Sequence, residues 1–291
     1  MSATLEQLLI LYARWFPIRR GKMRIINAFW RTATGGDDTQ RIATLKHSAF
    51  KVPCDLNEML QRQFYFFGTY FIEEDILSCW TSAAREAQVI FDVGANAGIY
   101  SFAALSSQPN AIVHAFEPTP EIAARLRASV RLNKLNQLRV HQLAVFERNG
   151  YGALMRCRGE SGWNEGMNFL STDVRESSGE RIETVSLDDF CEDHRIDHVD
   201  LLKVDVQGQE SAVLSGANRL ITSGRIRMIF MELNWSADRD KLCPASDSVK
   251  FLDRAGYRFS RPGKHLKWHK AGEWLRGLGD VVATLHSCNR A

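Results

Sequence analysis

Five short apolar runs punctuate the chain: VIFDVG from Val89, AIVHAFEP from Ala111, LRVHQLAV from Leu138, HVDLLKVDV from His198 and RIRMIFMELN from Arg225. Stretches with helical periodicity separate them. Near-continuous apolar strands alternating with amphipathic segments predict a parallel sheet covered on both faces, a doubly wound α/β architecture. Helices are expected over 120–135, 209–221 and 248–255, the last stopped by Gly256. The interval 150–179 breaks this rhythm with many Gly, Ser and Glu residues and scattered apolar ones, and it reads as an inserted hairpin or flap. Ahead of Val89 the pattern differs. Leu5, Leu8, Leu9, Tyr12 and Phe16 recur at helical spacing, opened by a capping box of Thr4 and Gln7 and stopped by Pro17. The Gly/Asp-rich stretch 32–39 follows, and aromatics without a clear period fill the chain to about residue 85. Residues 1–85 are therefore read as a mostly helical N-terminal lobe, and 86–291 as the main domain.

Composition narrows the picture. With 291 residues, 45% of them hydrophobic and 24% charged, the chain is globular rather than disordered, collagen-like or a coiled coil. Its 37 Lys and Arg against 34 Asp and Glu leave a formal charge of +3, too weak for a phosphate-tracking surface, so no nucleic-acid partner is expected. Six cysteines without a C-x-x-C pair are expected to be isolated reduced thiols, which favours the cytoplasm. No run of 18 apolar residues and no basic, cleavable leader is visible, so neither a membrane span nor a signal peptide is expected. Arg14, Arg19, Arg20, Lys22 and Arg24 cluster around the end of the first helix. This is read as a helix packed on its own domain with a solvated basic turn; the second reading is peripheral contact with an anionic membrane surface.

The chemistry is expected at the first strand–helix turn of the sheet. DVGANAG over 92–98 follows a strand and opens a helix, the place where open α/β sheets bind cofactors. It lacks G-x-G-x-x-G, because Asn96 stands where the second glycine is needed and Gly98 comes one residue early. A nicotinamide dinucleotide is correspondingly disfavoured. A carboxylate at Asp92, placed at the mouth of the turn, repels pyrophosphate and attracts a cationic amino acid group, which S-adenosylmethionine carries. Glu117 ends the next strand, the position from which an acid accepts hydrogen bonds from ribose hydroxyls.

The segments FDVGANAGIYS, AFEPTPE, ETVSLDDF, VDLLKVDVQGQESAVLSGANRLI and IFMELN, in this order, resemble the FkbM family of S-adenosylmethionine-dependent methyltransferases over about residues 64–260. The resemblance implies a class I methyltransferase fold of seven strands, the last antiparallel, and methyl transfer to a hydroxyl. It implies that Asp92, Gly94, Ala95, Asn96 and Gly98 form the cofactor turn, with Glu117 on the ribose and Ala144 near the adenine. Two positions depart from the family pattern. D-x-E-G-x-E reads Asp205, Val206, Gln207, Gly208, Gln209, Glu210, with an amide replacing an acid at 207, and G-x-Y-E reads Gly68, Thr69, Tyr70, Phe71.

A sulfonium methyl is already electrophilic, so the protein need only align a hydroxyl and help remove its proton. Asp205, at the end of the fourth strand of the doubly wound sheet, is the first candidate base, with cofactor binding or helix capping as its alternative roles. Glu232 ends the fifth strand and is expected to face the same crevice. Asp205 and Glu232 together could supply two oxygen ligands to Mg²⁺, although a third ligand is not evident and a metal is not expected. Asp188 and Asp189 are read as helix caps, and His114 as a hydrogen-bonded core residue. In the insert, Trp163, Asn164 and Asn168 combine an apolar platform with amides, a mixture suited to a sugar ring.

The function expected is O-methylation of a small-molecule or glycan acceptor, on a sugar of a glycan, glycolipid or glycosylated metabolite. The alternative is a polyketide or other lipophilic acceptor. An RNA methyltransferase is disfavoured by the charge balance, and a non-catalytic cofactor-binding scaffold by the intact turn. Oligomeric state is left open.

Overall fold

The computed structural model describes residues 2–17, 20–36, 38–46, 48, 50–69, 74–155, 158–159, 162–163, 169–171, 179–232, 244–262, 267–269 and 280–286. Helices α1 (Ser2–Trp15) and α2 (Lys22–Thr34) are followed by the antiparallel pair β1 (Gln40–Thr44) and β2 (Lys51–Asp55), then α3 (Met59–Phe67) and α4 (Glu74–Ala84). The alternating part runs β3 (Val89–Val93), α5 (Ile99–Ser107), β4 (Ile112–Phe116), α6 (Pro120–Asn133), β5 (Leu138–His141) and β6 (Ala144–Val145). The insert holds β7 (Gly150–Met155), β8 (Arg158–Gly159), β9 (Gly162–Trp163) and β10 (Phe169–Ser171) before β11 (Glu180–Val185). The chain then continues through α7 (Leu187–Asp193), β12 (Val199–Val204), α8 (Glu210–Ser215), α9 (Asn218–Thr222), β13 (Ile226–Glu232) and α10 (Pro244–Arg254), ending with β14 (Tyr257–Arg261), β15 (Lys267–His269) and β16 (Asp280–Leu285).

The main sheet has the order β15-β14-β16-β13-β12-β3-β4-β5. Strands β5, β4, β3, β12 and β13 are parallel, β16 is antiparallel to β13, and β14 is antiparallel to β16. Seven of these strands give the expected doubly wound sheet with its last strand antiparallel, and short β15 adds an eighth at the edge. The insert is more than a hairpin: β7, β10 and β11 join β6 in a second sheet of order β10-β7-β11-β6.

Both faces of the main sheet are covered, as the unbroken apolar runs require. On one face Phe91, Phe116, Leu202 and Ile229 pack against Phe190 of α7, Leu220 of α9 and Leu252 of α10. On the other, Ile90, Val113, Leu201 and Phe230 meet Phe102 and Leu105 of α5. This second core continues into the N-terminal residues, taking in Ala43, Val52, Phe64, Ile76 and Trp80. Residues 1–85 thus contain a β pair as well as helices and share apolar packing with the sheet. Trp80 is fully buried, edge-on to Tyr100 and Phe230, and its indole Nε1 donates to Tyr100 O at 2.9 Å.

Two local differences from the sequence expectation have physical causes. The single helix expected over 209–221 is broken into α8 and α9 at Gly216, where a Cβ would lie 2.0 Å from Phe146 O. Chain passing this closely needs glycine, and the helix yields to that contact. Asp188, expected as a cap of its own helix, instead accepts from the backbone N–H groups of Arg219 and Leu220 in α9, while Ser186 caps α7 by accepting from Asp189 N. His114 is buried as expected, and its partner is another histidine: Nδ1 lies 3.1 Å from His141 Nε2, beside Phe116, Phe190 and His194.

Trp80→Ala is expected to cost about 3–5 kcal/mol, because it empties a fully enclosed site and removes the indole hydrogen bond to Tyr100 O; urea unfolding of the two proteins measures it. Burial, reinforced by nearby histidines and Arg139, pushes His114 down from 6.5 to about 3 and His141 to about 4. Both stay neutral in the folded chain while the unfolded chain binds protons near the ordinary value, so their contribution is complete above about pH 6.5 and is lost as pH falls from there towards 4. Melting temperature is expected to drop across that window, and His141→Gln to flatten the drop; thermal melts at stepped pH decide it.

Candidate active site

The carboxyl ends of β3, β4, β12 and β13 carry the candidate residues. Strand register sets Asp92, Lys203, Phe230 and Val282 side by side across β3, β12, β13 and β16. An acid and a lysine therefore sit within an otherwise apolar row, on the face covered by α4 and α5. The Lys203 ammonium is buried, 2.8 Å from Asp205 Oδ2 and 4.3 Å from the Tyr100 ring centre. A buried cation is tolerated only when it is paired.

Asp92 departs from the expected placement. It lies beneath the glycine turn rather than at its mouth, and its Oδ2 accepts from Ser101 N at 3.0 Å and Ser101 Oγ at 2.6 Å. The reason is local. Gly98, the N-cap of α5, has no side chain with which to satisfy the first amides, so the strand supplies the carboxylate instead. Burial pushes the Asp92 carboxyl above the usual range, against the opposing pull of Lys203 and the Ser101 hydrogen bonds. Its Oδ1 is buried and has no hydrogen-bond partner among the described residues.

Gly94 and Gly98 both have positive φ, 77° and 81°. A Cβ on Gly94 would fall 1.9 Å from Asp205 O, and one on Gly98 would fall 2.5 Å from Leu126 of α6. Gly94 is thus demanded by the neighbouring backbone as well as by the turn, whereas Gly98 is demanded by its positive φ, with the end of the Leu126 side chain close by. Asp205 N donates to Val93 O, which joins the turn directly to the end of β12. Ala95 is buried, and Asn96 takes a left-handed φ of 49°. Glu117 is buried across from the turn: Oε2 accepts from Asn96 N at 2.9 Å and Oε1 from Thr119 N at 2.8 Å. Ala144 lies in β6, packed with Phe146, Leu154 and Ile182.

Asp205 and Glu232 are brought together. They line one cavity of about 170 Å³ with Ile76, Tyr100, Lys203 and Asp280. All four of these companions were missed by sequence reasoning, three of them polar. Lys203 lay hidden inside an apolar strand, Tyr100 belongs to the helix after the turn, and Asp280 is remote in sequence, opposite Glu232 across β13 and β16. The amide at 207 also finds a use: Gln207 Nε2 donates to Asp205 Oδ1 at 2.9 Å, where a glutamate would set two carboxylates together. Burial alone would raise the Asp205 carboxyl, but the Lys203 ammonium and the hydrogen bonds from Lys203 and Gln207 bring it below its ordinary value. Glu210 closes the loop by accepting from Val206 N and Gly208 N. Among the described residues, no three His, Cys, Asp or Glu side chains converge as metal ligands. Trp163 has its backbone in β9, paired with Arg158, while Asn164 and Asn168 lie outside the described residues.

A seven-stranded doubly wound sheet with an antiparallel strand between β13 and β14, and with a glycine turn at the end of its central strand, is the class I methyltransferase fold. Residues 92–259, more than half of the chain, match the family described as methyltransferase FkbM domain, and the chain belongs to that family. S-adenosylmethionine is the cofactor of these methyltransferases. The chain is 32% identical over 155 residues to the 2-O-methyltransferase NoeI of Sinorhizobium fredii, covering 50% of this chain and 62% of that protein. It is 32% identical over 175 residues to the 31-O-demethyl-FK506 methyltransferase FkbM of Streptomyces tacrolimicus, covering 52% and 66%. It is also 27% identical over 189 residues to the hexuronic acid methyltransferase AglP of Haloferax volcanii, covering 63% and 69%. The match therefore spans less than two thirds of the first two relatives' own length.

Glu117→Gln would aim an amide NH₂ at one of the two loop amides now bound by the carboxylate. Hydrogen bonds to a charged group are worth about 1.5–3 kcal/mol, so affinity for S-adenosylmethionine is expected to fall roughly ten- to a hundredfold. Calorimetric titration reads this, and unchanged affinity would separate Glu117 from the cofactor turn.

Proposed function

We propose that the chain is an S-adenosylmethionine-dependent O-methyltransferase whose acceptor is a sugar hydroxyl. The observation that carries the reading is the composition of the cavity at the end of β12: Asp205, Glu232 and Asp280 beside Lys203 and Tyr100. Carboxylates accept hydrogen bonds only, so a lining this rich in them suits a ligand that presents several hydroxyl donors. A lipophilic acceptor calls for apolar walls, and Ile76, Val204, Phe230 and Met231 supply only part of the lining. That AglP is named for a hexuronic acid supports the sugar reading, whereas the FK506 methyltransferase supports the lipophilic alternative.

The residues around the glycine turn fit the cofactor. Asp92 Oδ1 is a buried acceptor with no donor among the described residues, as an aminoacyl ammonium would require. Glu117, at the end of β4 beside the turn, presents a carboxylate that accepts hydrogen bonds, the role ribose hydroxyls call for. Ala144 and Ala95 add small apolar surface at the neighbouring chain ends. When bound, S-adenosylmethionine supplies an electrophilic methyl group on a sulfonium. The protein's own work is to orient a hydroxyl and take its proton. Asp205, held by Lys203 on one oxygen and Gln207 on the other, is fixed in position, and these contacts hold its carboxyl below its ordinary value. Such a carboxylate is a weak base, which suffices because a hydroxyl becomes strongly acidic as its oxygen gains a methyl group. Glu232 and Asp280, facing one another from adjacent strands, are placed to hold further hydroxyls of the acceptor.

Asp205→Asn is expected to lower kcat by about a hundredfold or more while leaving affinity for S-adenosylmethionine near that of the parent, with partial recovery in Asp205→Glu. The assay is transfer of labelled methyl to hexose and hexuronic acid glycosides, run beside lipophilic alcohols. Transfer to the alcohols alone would replace the sugar reading with the lipophilic one, and an unchanged rate in Asp205→Asn would remove Asp205 as the base.

A further inference from the structure

Helices α1 and α2 bury one side and leave the other apolar. Leu9 and Ala13 of α1 pack with Ile26, Trp30 and Ala33 of α2 onto Leu56, Phe66 and Phe67. The outer stripe of α1 nevertheless carries Leu8 at 57%, Leu11 at 54% and Trp15 at 79% exposure, followed by Phe16, and α2 adds Ile25 and Phe29. Six large apolar side chains in water on one helix pair exceed the scattered exposure usual for a domain surface.

Charge singles out the partner. From Gln7 to Gly36 the sequence contains Arg14, Arg19, Arg20, Lys22, Arg24 and Arg31 and no Asp or Glu. Three of these cations act internally: the Arg14 guanidinium donates to Thr44 O, Tyr65 O and Phe66 O, the Lys22 ammonium donates to Ala13 O, and the Arg31 guanidinium donates to Asn57 Oδ1 and lies over the Trp30 ring. Glu6, the acid of α1, is likewise committed to Arg41 and Tyr65. Arg20 and Arg24 are exposed and form no ion pair with any described residue. The face is therefore apolar and purely cationic. A second copy of the chain would set like charges against each other, and Leu8, Leu11 and Ile25 have no counterpart on a nucleic acid. An anionic bilayer satisfies both features, since acyl chains take the leucines, the interface takes Trp15, and phosphate headgroups take Arg20 and Arg24. No helix among the described residues is long and apolar enough to cross a membrane, so contact is from one side.

We infer that α1 and α2 form a docking surface for an anionic lipid bilayer, on which the protein lies peripherally. The inference is independent of the acceptor reading. The test is sedimentation of the full chain with vesicles of phosphatidylcholine containing phosphatidylglycerol, and with vesicles of phosphatidylcholine alone. Binding is expected to the anionic vesicles and to fall with added salt. Arg20→Gln with Arg24→Gln, whose side chains support nothing in the fold, is expected to weaken it roughly thirtyfold. Leu8→Gln with Leu11→Gln and Trp15→Gln is expected to abolish it without changing the melting temperature. Methyl transfer to a soluble acceptor should be unaltered in both variants, which keeps this test separate from that of the acceptor. Absence of binding to anionic vesicles, or a parent dimer by light scattering that the apolar triple variant turns into a monomer, would overturn the inference.

Discussion

A lysine ammonium buried at the end of a parallel strand is the constraint around which this site is arranged. Lys203 occupies a strand covered on both faces, where an unpaired charge would cost several kcal/mol. Asp205 answers it two residues further along, on the same side of the strand, and Tyr100 places its ring against it. Asp92, in register on the next strand, adds a second negative centre. Because Asp205 holds Lys203, Gln207 can hold Asp205, and because Gly94 lets the Asp205 carbonyl approach, the glycine turn and the acidic cavity become one rigid unit.

That unit needs a lid against water, and the N-terminal residues supply part of it. Trp80 wedges between Tyr100 and Phe230, and Ile76 on the same helix lines the cavity. The helix before the first sheet strand is consequently an integral wall of the site. The pair α1 and α2 stands one layer further out, packed through Phe66 and Phe67 of α3. Its buried side is paired off by apolar packing and by Arg14 and Lys22, while its outer side carries charge and apolar surface that the fold does not use.

The parallel sheet, its two covered faces and the location of the glycine turn were legible in the sequence because each depends on local order: apolar runs, helical spacing and glycines directly after a strand. The linked FkbM-type segments brought in Glu117 and Asp205 for the same reason. Strands β1 and β2 escaped notice because Ala43 is the only buried residue of β1 and β2 contains Pro53, which leaves little alternation to see. What only the tertiary structure decided was which chemically active groups meet. Asp92 turned under its own turn because α5 lacked a side-chain cap, Lys203 became the partner of Asp205, and Asp280 arrived opposite Glu232 from the far end of the chain. The sequence records which residues are present and their local periodicity, whereas charge pairing and cavity lining depend on distances that strand order and register alone establish.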